Sequence, residues 1–367
     1  MAKKRKTLPK DFAEILKSGD PAAMKAVFDI CELDARGSHA KQVALAYVEC
    51  PDDLARWLVG QGADLEAPDQ YGRSPIQSRA GHWQGDVSVL LELGASASGA
   101  TGTDTPLHLA ANVHNLRAMR DLMANGASAE LRNRQGLTPL GSALQQCSNA
   151  KLETMAQVAE FLLAEGARQP RRGLFARLTG KGGTSEADDP ALKAMVTRLG
   201  ETFEFHRADF NPETRDAASA ALDRLYDLFS VPPVARRQLH PLDAPILVGS
   251  GTWQEHHSEL WQRLVPGKGA APTVQGEVIR ISGRISDEID GNGGINWDSD
   301  YARMADAIVN HFASGTALPE AELARAREIA ADAKRKRGNS ALLAELAVEW
   351  VRRNPTPIVL NRPDYDR

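Results

Sequence analysis

Cysteine is scarce: Cys31, Cys50 and Cys147 are the three in 367 residues. They are too few and too scattered for a disulfide frame or a paired-cysteine metal site, which points to a reducing, cytoplasmic setting. Long apolar runs are missing too. No stretch approaches the roughly 18 residues that would span a bilayer, so no membrane association is expected. The basic start Met1-Ala-Lys-Lys-Arg-Lys is followed by Lys10, Asp11 and Glu14 rather than by an apolar stretch, so export by a signal peptide is not indicated. Catalytic signatures are absent as well: there is no Gly-x-Ser-x-Gly elbow, His-Glu-x-x-His pair or dinucleotide fingerprint. Gly180-Lys181 fails as a phosphate loop, because Phe175 stands where the first glycine belongs and Gly182 replaces the magnesium-binding Ser or Thr. Asp290 to Asp298 fails as a calcium loop, because Ile295 and Tyr301 occupy the glycine and glutamate positions. No cofactor and no metal is therefore expected.

With 42% hydrophobic and 25% charged residues, the chain has the composition of an ordinary folded protein. Its length predicts two or three compact units. Charge is uneven: residues 7–167 hold 20 Asp or Glu against 13 Lys or Arg, a formal −7. A nucleic-acid surface needs the opposite sign.

Two sequence marks recur in fixed phase. Gly-Ala occurs at Gly62-Ala63, Gly94-Ala95 and Gly126-Ala127, a step of 32 residues, and again at Gly166-Ala167 after 40. Half a period away stand Ser74-Pro75-Ile76, Thr105-Pro106-Leu107-His108 and Thr138-Pro139-Leu140. In each, Ser or Thr is suited to cap a helix whose first position is proline. Leu116, Met119, Leu122 and Met123 then give a second helix its apolar side, and Gly126 ends it.

This pattern resembles the ankyrin repeat, whose units of about 33 residues pair two antiparallel helices with a turn. The resemblance implies an all-α solenoid: a helical cap over residues 1–34, with two short helices split at Gly19-Asp20, and repeats over 35–167. The last unit carries an insertion from Gln145 to Glu153 that either lengthens a helix or adds a loop. Residues 168–189, rich in glycine and basic groups and then acidic, read as a mobile connector. Residues 190–367 follow as a helical carboxy-terminal domain, with helices expected at 190–203, 212–228, 253–264, 274–289, 300–312, 320–336 and 340–352.

The resemblance also implies a protein partner bound at the turn tips and inner helices. Carried onto this chain, the tips fall near Asp69, Gln70, Tyr71 and Arg73, near Thr101 to Asp104, and near Arg132, Asn133, Arg134 and Gln135. The inner-helix positions are Gln77, Arg79, His82, Trp83, Asn112, Val113 and His114. Tyr71 and Trp83 are the sharpest candidates, because aromatic residues and arginine dominate interface hot spots, although a Trp in such a loop also serves simply to cover the core. His108 reads as part of the repeat's own hydrogen bonding. The acidic balance suits a basic partner, and proteins that neutralise a toxin belong to this class. Leu264 to Asp298 looks similar to stretches in bacterial proteins of unassigned function, which suggests a bacterial source. An alternative makes the carboxy-terminal half an enzyme using Glu277, Arg280 and Arg284, which share a helix face. Such rows are more often packing or solvated faces. His257 reads as a half-buried packing residue.

Overall fold

A computed structural model describes residues 3–98, 103–168 and 185–366. Residues 169–184 of the expected connector, the Gly180–Gly182 segment among them, and Thr101 of the second tip lie outside the described residues. The chain divides into two compact units, residues 1–200 with 216–233 and residues 201–215 with 234–367. This division differs from the sequence-based boundary at Pro190. No helix among the described residues is long and apolar enough to cross a membrane.

The first unit begins with β1 (Arg5–Thr7), α1 (Phe12–Ser18), α2 (Pro21–Ile30), β2 (Cys31–Gly37) and β3 (Gln42–Val43). Gly19 turns left-handed after α1, and the Asp20 side chain caps α2. The three strands correct the expectation of a purely helical cap. β1 pairs parallel with β2, and β2 antiparallel with β3. The Tyr47 and Leu8 side chains fill the space beside Gly37, where a Cβ would stand 2.6 Å from the Tyr47 hydroxyl and 3.1 Å from Leu8 Cβ. The paired extended segments satisfy each other's backbone polar groups. Such short strands, one of them a run of cations, carry no alternating pattern for a sequence reading to find.

Beyond the sheet come α3 (Asp52–Gly60), α4 (Pro75–Ala80), α5 (Ser88–Glu92), α6 (Pro106–Asn112), α7 (Leu116–Ala124), α8 (Pro139–Gln146) and α9 (Leu152–Arg168). A 3-10 turn, Ala44–Ala46, stands where the degenerate first unit would place an inner helix. The Thr105 hydroxyl accepts the His108 N–H and the Thr138 hydroxyl accepts the Gly141 N–H, so the Thr-Pro marks start helices as their chemistry requires. Gly62, Gly94 and Gly126 follow the second helices with φ of 98°, 98° and 88°, the left-handed region that a Cβ disfavours. The extra residues of the last unit form a loop with a 3-10 turn, Asn149–Lys151.

Helix α6 packs between α4 and α8, and polar bridges run from each unit to the next. Gln77 Nε2 donates to the Asp104 carbonyl at 2.8 Å. His108, the third residue of its helix as Gln77 is of its own, bonds the Leu137 carbonyl through Nε2 at 3.0 Å. Asn115 Nδ2 donates to the carbonyls of His82 and Gly85 at 2.9 and 2.8 Å. On the far side, part of α10 (Pro190–His206) and of α11 (Pro212–Phe229) completes the unit. Glu186 accepts the Thr138 hydroxyl, and Arg224 pairs with Glu160 at 3.3 Å.

The His108 bridge carries a pH dependence. Burial pushes the imidazole below its ordinary value of 6.5, against the opposing Leu137 bond. Below pH 6.5 the unfolded chain therefore binds more protons than the folded one, and stability is lost as the pH falls through that value. His108→Gln, which copies the residue at Gln77, is expected to hold stability at pH 7 within about 1 kcal/mol. It should also flatten part of the decline between pH 6.5 and 5 in urea titrations. His114, His257 and His311, all shifted the same way by burial, contribute to the remaining decline.

The second unit contains α12 (Trp253–Leu264), α13 (Val274–Ser286), α14 (Ser299–Phe312), α15 (Glu320–Ala333) and α16 (Ala341–Arg353). These match the sequence-predicted helices to within a few residues at each end. Helix α13 is central and packs against α12, α14 and α16, with Val278, Ile279, Ile281 and Ile285 fully buried. Its polar residues serve the fold: Gln275 donates to the carbonyls of Asn354 and Thr356 and accepts the Ile358 N–H, which pins the chain after α16. The Gly-rich segment after α13 ends at Asp298, whose side chain caps α14.

Candidate partner-docking site

The helix starts leave one side of the first unit open. A cavity of about 440 Å³ lies between the turn tips and the inner helices, lined by Tyr71, Arg73, Asp104 and Arg134 at the tips and by Leu109 and Ser142 on the helices. Asp69 shapes the first tip by accepting the N–H groups of Tyr71 and Arg73 at 2.7 and 2.9 Å. Asn133 does the same in the later tip for Gln135 and Leu137. It also donates to Asp104 at 2.8 Å. The tips are thus preshaped, and their exposed side chains project from fixed backbone.

Among the residues expected to bind, Tyr71, Arg73, Gln77, Asp104, Asn133, Arg134 and Gln135 come together in this cavity. Tyr71 is 63% exposed and lines the cavity. Gln70 donates to the His39 carbonyl of the preceding turn, and Arg132 to the Gly136 carbonyl of its own. Trp83 is 66% exposed rather than covering the core, and its ring stacks with His82 at 6.2 Å. The pair sits in the α4–α5 loop and does not line the cavity. His114 is half-buried in the next such loop against Thr154, where burial and Lys151 push its imidazole down to about 4. Asn112 is half-buried at the end of α6 and does not line the cavity.

Arg79 corrects the sequence reading. It is 1% exposed, and its guanidinium donates to the carbonyls of Leu45, Cys50 and Asp86 at 2.8, 3.1 and 3.3 Å. A short helix places its fifth residue inward, where it joins three separate segments. Burial pushes the neighbouring Cys50 thiol up to about 11 even beside this cation.

Residues 104–134 match the family model of the ankyrin repeat. The chain carries an ankyrin repeat there. No curated protein matches the chain. The matched repeat spans from the Asp104 tip through α6 and α7 to Arg134, and it supplies Asp104, Leu109, Asn133 and Arg134 to the cavity wall. Leu109, which the sequence places on the packing side of its helix, and Ser142, which it does not single out, each follow a helix-start proline by three residues. The repeat register itself was the signal that would have found them.

The charge distribution separates the two sides of this unit. Helices α4, α6 and α8 contain no acidic residue, and their single cation is the buried Arg79. The second helices carry Asp52, Asp53, Glu92, Asp121, Glu153, Glu160 and Glu165 against Arg56, Arg117, Arg120 and Arg168, a formal −3. None of these second-helix residues lines the cavity, whose charged rim is Arg73, Arg134 and Asp104.

In the second unit, Glu277 and Arg280 form a pair with 0% and 1% exposure, joined at 2.9 and 2.6 Å. Glu277 also accepts the Ala271 N–H and the Tyr365 hydroxyl. Burial pushes its carboxyl up, but these donors and the Arg280 charge outweigh it and hold the group below its ordinary value. This is a filled interior and not a pocket for substrate. His257 bonds Ser282 at 2.9 Å in the same packing layer.

Proposed function

We propose that the repeat half is a protein-docking module, an ankyrin-type solenoid whose inner helices and tips receive a segment of one partner chain. The observation that carries this reading is the preshaped cavity with an exposed Tyr71 between Arg73 and Arg134. Aromatic and arginine side chains on fixed backbone are the residue types that dominate binding energy at protein interfaces. In this reading the chain is a cytoplasmic bacterial interaction protein.

A second reading, a basic partner such as a toxin to be neutralised, draws on the formal −7 of residues 7–167. It would engage the acidic second helices. The two readings separate by mutation once a partner co-purifies at low salt. Tyr71→Ala with Arg134→Glu is expected to weaken binding at least about tenfold in the first reading, a loss of roughly 1.4 kcal/mol. Asp121→Lys with Glu153→Lys should then do little. The opposite order, with steep salt dependence, is the outcome of the second.

A further inference from the structure

The second unit holds a cavity of about 430 Å³ that the docking reading does not use. It forms where α13 passes into a π-helical turn, Asp287–Gly291. A π turn inserts one residue into the helical ladder and re-aims its neighbours, and such turns are enriched at functional sites. One wall is aromatic: the Phe205 and Trp261 rings stack with centroids 6.3 Å apart and 13° between planes. Arg237 lies 4.1 Å from the Phe205 centroid and donates to the carbonyls of Gln262, Phe205, Trp261 and Val265, so it fixes that wall in place. Tyr301 closes another side, backed by the stacked Trp297 at 5.2 Å.

Three charged side chains of one helical stretch border the space: Arg284, Asp287 and Glu288. Glu288 is spent on the loop that follows, since it accepts Asn292 Nδ2 and both the backbone N–H and Nδ2 of Asn296. Arg284 and Asp287, one cation and one anion, stand three residues apart on the helix beside the aromatic wall. Burial pushes the Asp287 carboxyl up while Arg284 pulls it down, so the two charges act on each other and on the space between them. Opposite charges side by side repel a simple anion or a simple cation less well than they attract a molecule carrying both.

We propose that this cavity binds a small zwitterion with an apolar or aromatic substituent, an α-amino acid by chemical class. Its carboxylate meets Arg284, whose planar guanidinium offers five donors in carboxylate-matching geometry. Its ammonium meets Asp287, and its side chain lies against Phe205 and Trp261. The volume falls within the range of about 300–1,000 Å³ of small-molecule sites.

The test is calorimetric titration of the full chain with L-phenylalanine, phenylacetate and phenethylamine. L-Phenylalanine is expected to bind at least about tenfold more tightly than either single-charge analogue, the loss of one charged contact being worth roughly that factor. Asp287→Asn should weaken L-phenylalanine about tenfold and leave phenylacetate unchanged, while Arg284→Lys weakens both. Circular dichroism checks that each variant folds. Asp287 is exposed, so its variant carries the test if Arg284→Lys is unstable. Absence of binding by L-phenylalanine, L-leucine and L-tryptophan at about 10 mM, weaker than any useful small-ligand site, overturns the proposal. So does affinity indifferent to Asp287→Asn. Neither result bears on the docking groove, which belongs to the other unit.

Discussion

Glu277→Ala is expected to lower the unfolding free energy of the second unit by about 3–5 kcal/mol, because it strands the buried Arg280 guanidinium without its counter-charge. Two further groups lose their acceptor at once, the Ala271 N–H and the Tyr365 hydroxyl. The cost is thus mainly that of unpaired buried polar groups rather than of lost packing. Urea unfolding followed by tryptophan fluorescence reads it, since Trp253, Trp261, Trp297 and Trp350 all belong to this unit. Replacing both partners together, Glu277→Leu with Arg280→Met, should recover much of the loss, as apolar substitutes for buried pairs often do. Tyr365→Phe removes a single donor and is expected to cost about 1 kcal/mol. The pair also sets an acid limit. A carboxyl held below its ordinary value of 4.5 contributes stability above that pH and loses it as the pH falls through the folded value.

Arg79→Ala is expected to cost the first unit about 3–5 kcal/mol, through a cavity and through the buried carbonyls of Leu45 and Cys50 left without their donor. Arg79→Lys keeps the charge but not the planar fork, and cannot reach the three segments together. It should fall between alanine and the natural residue in thermal unfolding. If Arg79→Ala were tolerated within about 1 kcal/mol, a level typical of surface changes, the guanidinium would be solvated and available to a ligand after all.

The helices of both units were legible because their signals are local. Thr105-Pro106 and Thr138-Pro139 cap and start helices through atoms a few residues away, and the apolar spacing of α7 and α13 needs only the chain's own periodicity. Arg79 was misplaced for the opposite reason. Its acceptors are 34, 29 and 7 residues away, and no local pattern shows that three carbonyls converge on it. The pairing of Arg5–Thr7 with Cys31–Gly37 was hidden in the same way, since its partners lie 26 and 29 residues apart, and the local pairing of Cys31–Gly37 with Gln42–Val43 is too short to leave an alternating pattern. The candidate groove was half legible: Tyr71, Arg73 and Arg134 followed from the repeat register, while the placement of negative charge did not. A block total of −7 cannot tell inner helices from second helices, and only the packing separates them.

The most direct test places a photo-crosslinking amino acid at Tyr71, and in a second protein at Arg120 on the exposed side of α7, and irradiates each in the native host. Docking in the groove predicts one discrete protein adduct from position 71, lost when Arg73 and Arg134 are reversed to glutamate, and none from position 120. An adduct from position 120 with none from position 71 would contradict the account.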